Sequence, residues 1–134
     1  MIRPFTSSLA AVMVLLTLSA CAGGPQYSDL ARKATADDAW PSSLPDHAAT
    51  DLDPESSRLV GRDGKTALYL AAATEPAGGA CILVYPNDQE WFVGCGLNEM
   101  VMSGKSGTKY VLRSDGFATD DLRAISENVY VGRP

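Results

Sequence analysis

Residues 80–95 read Ala80-Cys81-Ile82-Leu83-Val84-Tyr85-Pro86-Asn87-Asp88-Gln89-Glu90-Trp91-Phe92-Val93-Gly94-Cys95, two β-type runs on either side of a cluster of turn-forming residues. If the two cysteines face each other across an antiparallel pair, opposed residues sum to 176, which sets Leu83 against Val93 and Tyr85 against Trp91. The turn then centres on Asn87-Asp88-Gln89, just after Pro86, so turn chemistry and strand register agree independently. Opposed α-carbons in such a pair lie about 4.5–5.5 Å apart, within disulfide range. One face of this hairpin carries Cys81, Leu83, Tyr85, Trp91, Val93 and Cys95, and the other carries Ile82, Val84 and Phe92. Both faces are apolar, which demands a central strand pair covered on both sides.

Working outward, the same punctuation recurs. Upstream, Leu59-Val60-Gly61 and Ala67-Leu68-Tyr69-Leu70 flank Asp63-Gly64, a strong local hairpin signal. Leu68 and Leu70 share one face there, opposite Ala67, Tyr69 and Ala71. The run Glu75-Pro76-Ala77-Gly78-Gly79 then breaks the chain. Downstream, Met100-Val101-Met102 and Tyr110-Val111-Leu112 flank Gly104-Lys105-Ser106-Gly107. Asp115-Gly116 marks another turn, Thr119 a helix start over 119–125, and Val129-Tyr130-Val131 a last strand. About seven short strands with one or two short helices predict a mainly β domain over residues 58–134, built as one small antiparallel sheet or a sandwich.

Residues 22–57 look different. Ala22-Gly23-Gly24-Pro25-Gln26-Tyr27 has no apolar period, and residues 28–39 predict a short helix with Ser28 as N-cap, Pro41 as stop and a thin apolar face of Leu30, Ala31, Ala34 and Trp40. From Pro41 to Ser57 the composition turns to Pro, Ser, Asp and Ala, without Lys or Arg. Residues 21–57 therefore read as an acidic tether, and a flexible chain of that length would reach roughly 30–35 Å. Asp51, Asp53 and Glu55 alternate as strand carboxylates would, but a calcium cage needs more oxygens and a glycine-assisted turn, so no metal site is expected.

The first twenty residues combine basic Arg3, an apolar stretch from Leu9 to Leu18 and small residues before Cys21. The apolar stretch is shorter than the roughly 20 residues a membrane-spanning helix needs. Leu18-Ser19-Ala20-Cys21 has the pattern of a lipobox, and residues 1–21 resemble bacterial lipoprotein precursors. That resemblance implies a signal peptide over 1–20, a diacylglyceryl group on the Cys21 sulfur, cleavage before it, and fatty acylation (palmitate) holding the chain at the extracytoplasmic face of the cell membrane. Two or more acyl chains hold a protein stably where one does not. A plain secretory signal cut among Ala20, Cys21 and Ala22 is the alternative. The remaining 114 residues suit one domain and carry a charge of −6, ten basic residues against sixteen acidic ones, which argues against nucleic acid as a partner. With Cys21 assigned to lipid, Cys81 and Cys95 form an even pair in an oxidising compartment. A disulfide is the expected state, worth about 3 kcal/mol by loop-closure entropy; two buried free thiols are the alternative.

Candidate chemistry is sparse, and no cofactor is expected. Gly104-Lys105-Ser106 lacks the glycine that a phosphate-binding loop needs at position 99, where Glu99 stands, and reads as a hairpin turn. His47 sits in the acidic stretch without a recognisable nucleophile, Glu90 and Glu99 have no evident reason to converge, and Ser103 and Ser106 have no nucleophile elbow around them. Tyr69, Tyr85, Trp91 and Tyr110 are the candidate binding patch for protein or glycan, with core packing as the competing role.

Arg58-Leu59-Val60-Gly61, Asp63-Gly64, Cys81-Ile82-Leu83-Val84, Val93-Gly94-Cys95-Gly96 and Ile125-Ser126-Glu127-Asn128-Val129 together resemble uncharacterised lipoproteins of high-GC Gram-positive bacteria, over residues 58–132. The resemblance supports compartment and disulfide and implies no particular activity. The expectation is a non-enzymatic envelope lipoprotein that contacts the bilayer through acylated Cys21 and binds an envelope protein or a small ligand; the competing expectation is an enzyme or enzyme inhibitor acting on wall polymer or extracellular peptides.

Overall fold

The computed structural model describes residues 24–117 and 121–134, so the expected lipid-bearing Cys21 and the helix-start Thr119 lie outside the described residues. Among the described residues, eight strands form two four-stranded antiparallel sheets. The first contains β1 (Arg58–Asp63), β2 (Thr66–Ala72), β3 (Ala80–Tyr85) and β4 (Phe92–Gly96), in that spatial order. The second contains β5 (Glu99–Ser103), β6 (Lys109–Arg113), β7 (Arg123–Ala124) and β8 (Val129–Gly132), in the order β5-β6-β8-β7. The mainly β expectation holds, and of its two forms the sandwich is the one adopted.

The hairpin of β3 and β4 has the register set by the cysteines: Cys81 opposes Cys95, Leu83 opposes Val93 and Val84 opposes Phe92. The disulfide joins α-carbons 4.0 Å apart. Beyond Val84 the ladder stops, so Tyr85 and Trp91 flank the turn instead of pairing within it. The Asn87 side-chain oxygen organises that turn by accepting the backbone N–H groups of Gln89 and Glu90, both at 2.9 Å. In the first hairpin the two-residue loop is Gly64-Lys65, one position later than Asp63-Gly64, because Asp63 pairs with Thr66. Gly64 takes φ 58°, a conformation that favours glycine.

The sheets stack with β4 beside β5, β3 over β6 and β1 beside the β7 hairpin. Leu68, Leu70, Ile82 and Val84 from the first sheet meet Tyr110, Leu112, Val129 and Val131 from the second in one buried cluster. Close approach at the flanks requires residues without side chains. A Cβ on Gly61 would lie 2.5 Å from Ile125 Cγ2, and one on Gly94 would run into Met102 Sδ. β4 is an edge strand, a correction to the expectation of a central pair, but its inner face is still covered by Met100 and Met102 from β5.

The larger correction concerns residues 24–57, expected to form a tether. They are a strap that wraps the first sheet. Tyr27 is only 8 % exposed and lies in the inter-sheet cluster, with Leu30 packed against it. The chain then passes the free edge of β1 and crosses to the other face of the sheet. There Trp40, Leu44, Ala48, Ala49 and Leu52 cover Cys81, Leu83, Ala71 and Val93. This is the second cover that the two-faced hairpin demanded.

The strap is held by side-chain hydrogen bonds more than by regular helix. The helix predicted over 28–39 is reduced to one turn, α1 (Ser28–Ala31), followed by 3₁₀ turns at Ala36–Asp38, Asp46–Ala49 and Pro54–Ser56. Asp38 explains the interruption. Its carboxylate, 3 % exposed, accepts both Arg32 guanidinium nitrogens at 2.6 and 2.7 Å, the Thr35 N–H at 2.7 Å and the Leu59 N–H at 2.8 Å. Arg32 also donates to the Leu59 carbonyl. The ion pair thereby satisfies backbone groups at the open edge of β1, where another chain would otherwise dock. A second network fixes the strap to the second sheet: Asn128, fully buried, accepts the Asp29 N–H and donates to Asp115 and the Arg113 carbonyl, while Asp29 accepts from Ser126 and Asn128. The helix expected over 119–125 is likewise replaced, within its described part, by strand β7, which pairs with β8.

Two outcomes test this construction. The Arg32 hydrogen bond first, then the Thr35 and Leu59 N–H groups, hold the Asp38 carboxyl well below the usual carboxylate range despite its burial. A lowered folded-state value means stability that is present above the ordinary carboxylate range and lost as pH falls through it and below. Urea unfolding should therefore weaken steeply in acid for the wild type and less steeply for Asp38→Asn, and Asp38→Ala should cost about 2–4 kcal/mol at neutral pH. Separately, a Cβ at Gly79 would collide with the carbonyl oxygen of Gly96, a backbone atom with little freedom to retreat. Gly79→Ala should destabilise by about 1–3 kcal/mol, whereas Gly24→Ala, with open space around it, should leave the unfolding midpoint unchanged.

Candidate functional site

The aromatic residues expected to form one patch are divided by the first sheet. Tyr69, Tyr85 and Trp91 lie on its strap-covered face, packed around Leu44, Ala48 and Leu83, and the Tyr69 and Tyr85 rings meet edge to face at 6.5 Å. Tyr85 is fixed by the turn beside it: its hydroxyl donates to Asp88, and Ser43 of the strap donates to the same carboxylate at 2.6 Å. That bond to Asp88 is the main reason the Tyr85 phenol is pushed up. Tyr110 sits on the other side of the sheet, buried between the layers with its ring 5.9 Å from that of Phe92. Burial first, and the nearby Asp63 charge second, push its phenol up.

Trp91, just before β4, and Phe92, its first residue, are shared by both sides. On the inter-sheet side they help to line a cleft of about 530 Å³ at the end of the sandwich where the turns of the β1–β2, β3–β4 and β5–β6 hairpins gather. The walls of the cleft are Trp91, Phe92, Tyr110 and Val84, and its polar groups are Thr66, Gln89 and Ser103. Across it Lys105 donates to Glu90 at 2.5 Å, joining the β3–β4 turn to the β5–β6 turn. The Lys105 hydrogen bond first, then Asn87, hold Glu90 below its ordinary value, so it is a carboxylate at neutral pH whose charge is matched locally. Deeper at the same end Asp63 accepts Arg123 and Arg133, each at 2.7 Å, tying β1 to β7 and the C-terminal residues.

On the strap side Trp91 faces a second groove of about 520 Å³, lined also by His47, Thr50, Asp51, Glu75 and Cys95. The His47 ring lies 5.6 Å from the Trp91 ring at a 43° tilt. His47 is thus brought to an aromatic wall, not left on a free spacer. Gly104-Lys105-Ser106 forms a hairpin turn in which Ser106 takes φ 65° and Gly107 φ 76°. Among the described residues, no three His, Cys, Asp or Glu side chains gather as a metal site requires.

Sequence reasoning singled out Trp91 and Tyr110 but not their meeting in one cleft, nor the closure by Glu90 and Lys105. Two residues fifteen positions apart in different hairpins carry no local pattern; only the stacking of the sheets joins them. The fold places the chain among small two-layer antiparallel β proteins. No family model matches the sequence, and no curated protein or solved structure is significantly similar to it.

The Glu90–Lys105 pair is solvent-exposed, and such pairs contribute little to stability. Lys105→Ala should leave the melting temperature essentially unchanged yet increase acrylamide quenching of Trp91 emission, read in a Trp40→Phe background. Unchanged quenching would mean that the pair does not restrict access to the cleft.

Proposed function

We propose that this protein is a lipid-anchored binding protein of the cell envelope, held by acylated Cys21 at the extracytoplasmic face of the membrane, whose cleft takes a small uncharged ligand with an apolar face, such as a glycan unit. The observation that carries the ligand reading is the cleft itself. Its volume of about 530 Å³ falls within the roughly 300–1,000 Å³ typical of small-molecule sites. Its walls are aromatic while its polar groups are neutral donors and acceptors, and its one carboxylate–ammonium pair is matched across the mouth. Aromatic faces with neutral hydrogen-bonding groups suit stacking against a sugar better than binding a free charge. The disulfide supports the compartment, because such bonds persist in oxidising surroundings.

Titration with N-acetylglucosamine oligomers, followed by tryptophan emission, should give a saturable change that is lost in Trp91→Ala and retained in Tyr69→Phe. Absence of saturation for every oligomer length would exclude the glycan reading. In cells, Cys21→Ser should move the protein from the membrane to the soluble fraction; unchanged membrane association would remove the anchor.

A further inference from the structure

We infer that the end of the sandwich opposite the cleft rests directly on the bilayer, with Leu97 and Phe117 as its apolar contacts. This rests on the lipid-anchor reading above and adds an orientation to it. Tyr27 is locked in the core, its hydroxyl donating to the Leu97 carbonyl, and Ser28 donates through both backbone and side chain to Asp115 at 3.0 and 2.5 Å. Few residues therefore lie between Cys21 and the part of the chain fixed to the body. Two residues separate Cys21 from Gly24, a span of at most about 11 Å fully extended, against the roughly 30–35 Å expected of a tether.

The surface beside that exit is mixed, two exposed apolar side chains set alongside Gln26, Asn98, Ser114 and Asp115. Among the described residues, the large hydrophobic side chains left exposed are Leu97 (42 %), Val101 (51 %) and Phe117 (51 %). Two of these three, Leu97 and Phe117, line one groove with Gly24, Pro25 and Gln26. The strands determine which way the cleft then points. β5 begins after Leu97 and Asn98 and ends at Ser103, on the cleft wall. Five residues of strand set the two ends about 16 Å apart. The cleft consequently opens away from the membrane, into the space where envelope ligands are met.

Electrostatics leave the apolar contact as the driving force. Asp115 is already bound by Ser28 and Asn128, and Asp29 by Ser126 and Asn128. The chain as a whole is acidic. Attraction to anionic headgroups therefore contributes nothing, and a neutral bilayer reached through the anchor is the occupant of this surface.

The test uses the full-length chain purified from the membranes of producing cells and reconstituted in phosphatidylcholine vesicles. Single nitroxide labels are placed through Leu97→Cys, Phe117→Cys or, at the cleft end, Gln89→Cys. Accessibility to a polar nickel reagent should fall by about twofold or more at positions 97 and 117 when the protein joins vesicles, and stay constant at 89. Equal accessibility at all three positions, in protein that floats with the vesicles, overturns the orientation and leaves the anchor intact. Shielding of 97 and 117 already present without vesicles also overturns it, assigning the patch to protein contact. An unmodified Cys21 by mass spectrometry, with no flotation, removes the anchor reading and this inference together.

Discussion

A sheet that is apolar on both faces cannot stand with one face in water, and everything else in this molecule follows from meeting that requirement twice. The inner face of β2 and β3, carrying Leu68, Leu70, Ile82 and Val84, is covered by the second sheet. The outer face, carrying Ala71, Cys81 and Leu83, is covered by the strap. The two covers are of different kinds. A second sheet supplies its own backbone hydrogen bonds, whereas a strap of short 3₁₀ turns must find partners elsewhere, which is why buried Asp38 and Asn128 and half-buried Asp29 have their hydrogen-bonding groups engaged. Arg32 and Asp38 join two tasks in one pair, pinning the strap as it rounds the sheet and occupying the edge of β1.

The same geometry creates the site. Stacking β4 beside β5 brings the two hairpin turns together at one end, sets the Phe92 ring against Tyr110 beside Trp91 on the cleft wall, and sets Glu90 opposite Lys105. At the other end the N-terminal residues leave the core between Leu97 and Phe117. The polarity of the strands separates the two ends. The disulfide holds β4 to β3 on the strap side, and Cys95 forms part of the wall of the strap-side groove.

Much of this was legible because β-structure writes local signals. The summed register of 176 across Cys81 and Cys95, the turn at Asn87, the Gly64 loop and the alternation of Leu68 and Leu70 all follow from period-two patterning and turn chemistry. The strap was not legible for a matching reason. Its apolar contacts are few, Tyr27 standing far from Leu44, Ala48 and Leu52, whose four-residue spacing is masked by Pro41, Pro45 and Pro54, and its holding interactions are carboxylates that by composition alone look like those of a solvated linker. Asp38 reads as a surface acid until its five hydrogen-bond donors are assembled from Arg32, Thr35 and Leu59.

The amino-acid order alone determined strands β1 to β6 and β8, the turn at Asn87, the pairing of the cysteines and the need for cover on both faces of the central hairpin, since each depends on neighbours within a few residues or one hairpin, while β7 was read as helix. Tertiary structure decided what supplied that cover, which aromatic side chains met and which were parted by the sheet, and where the chain ends lay relative to the cleft. Those are contacts between segments as much as 99 positions apart, such as Asp29 with Asn128. No local pattern encodes them, because they exist only once burial of the apolar faces has brought the segments together.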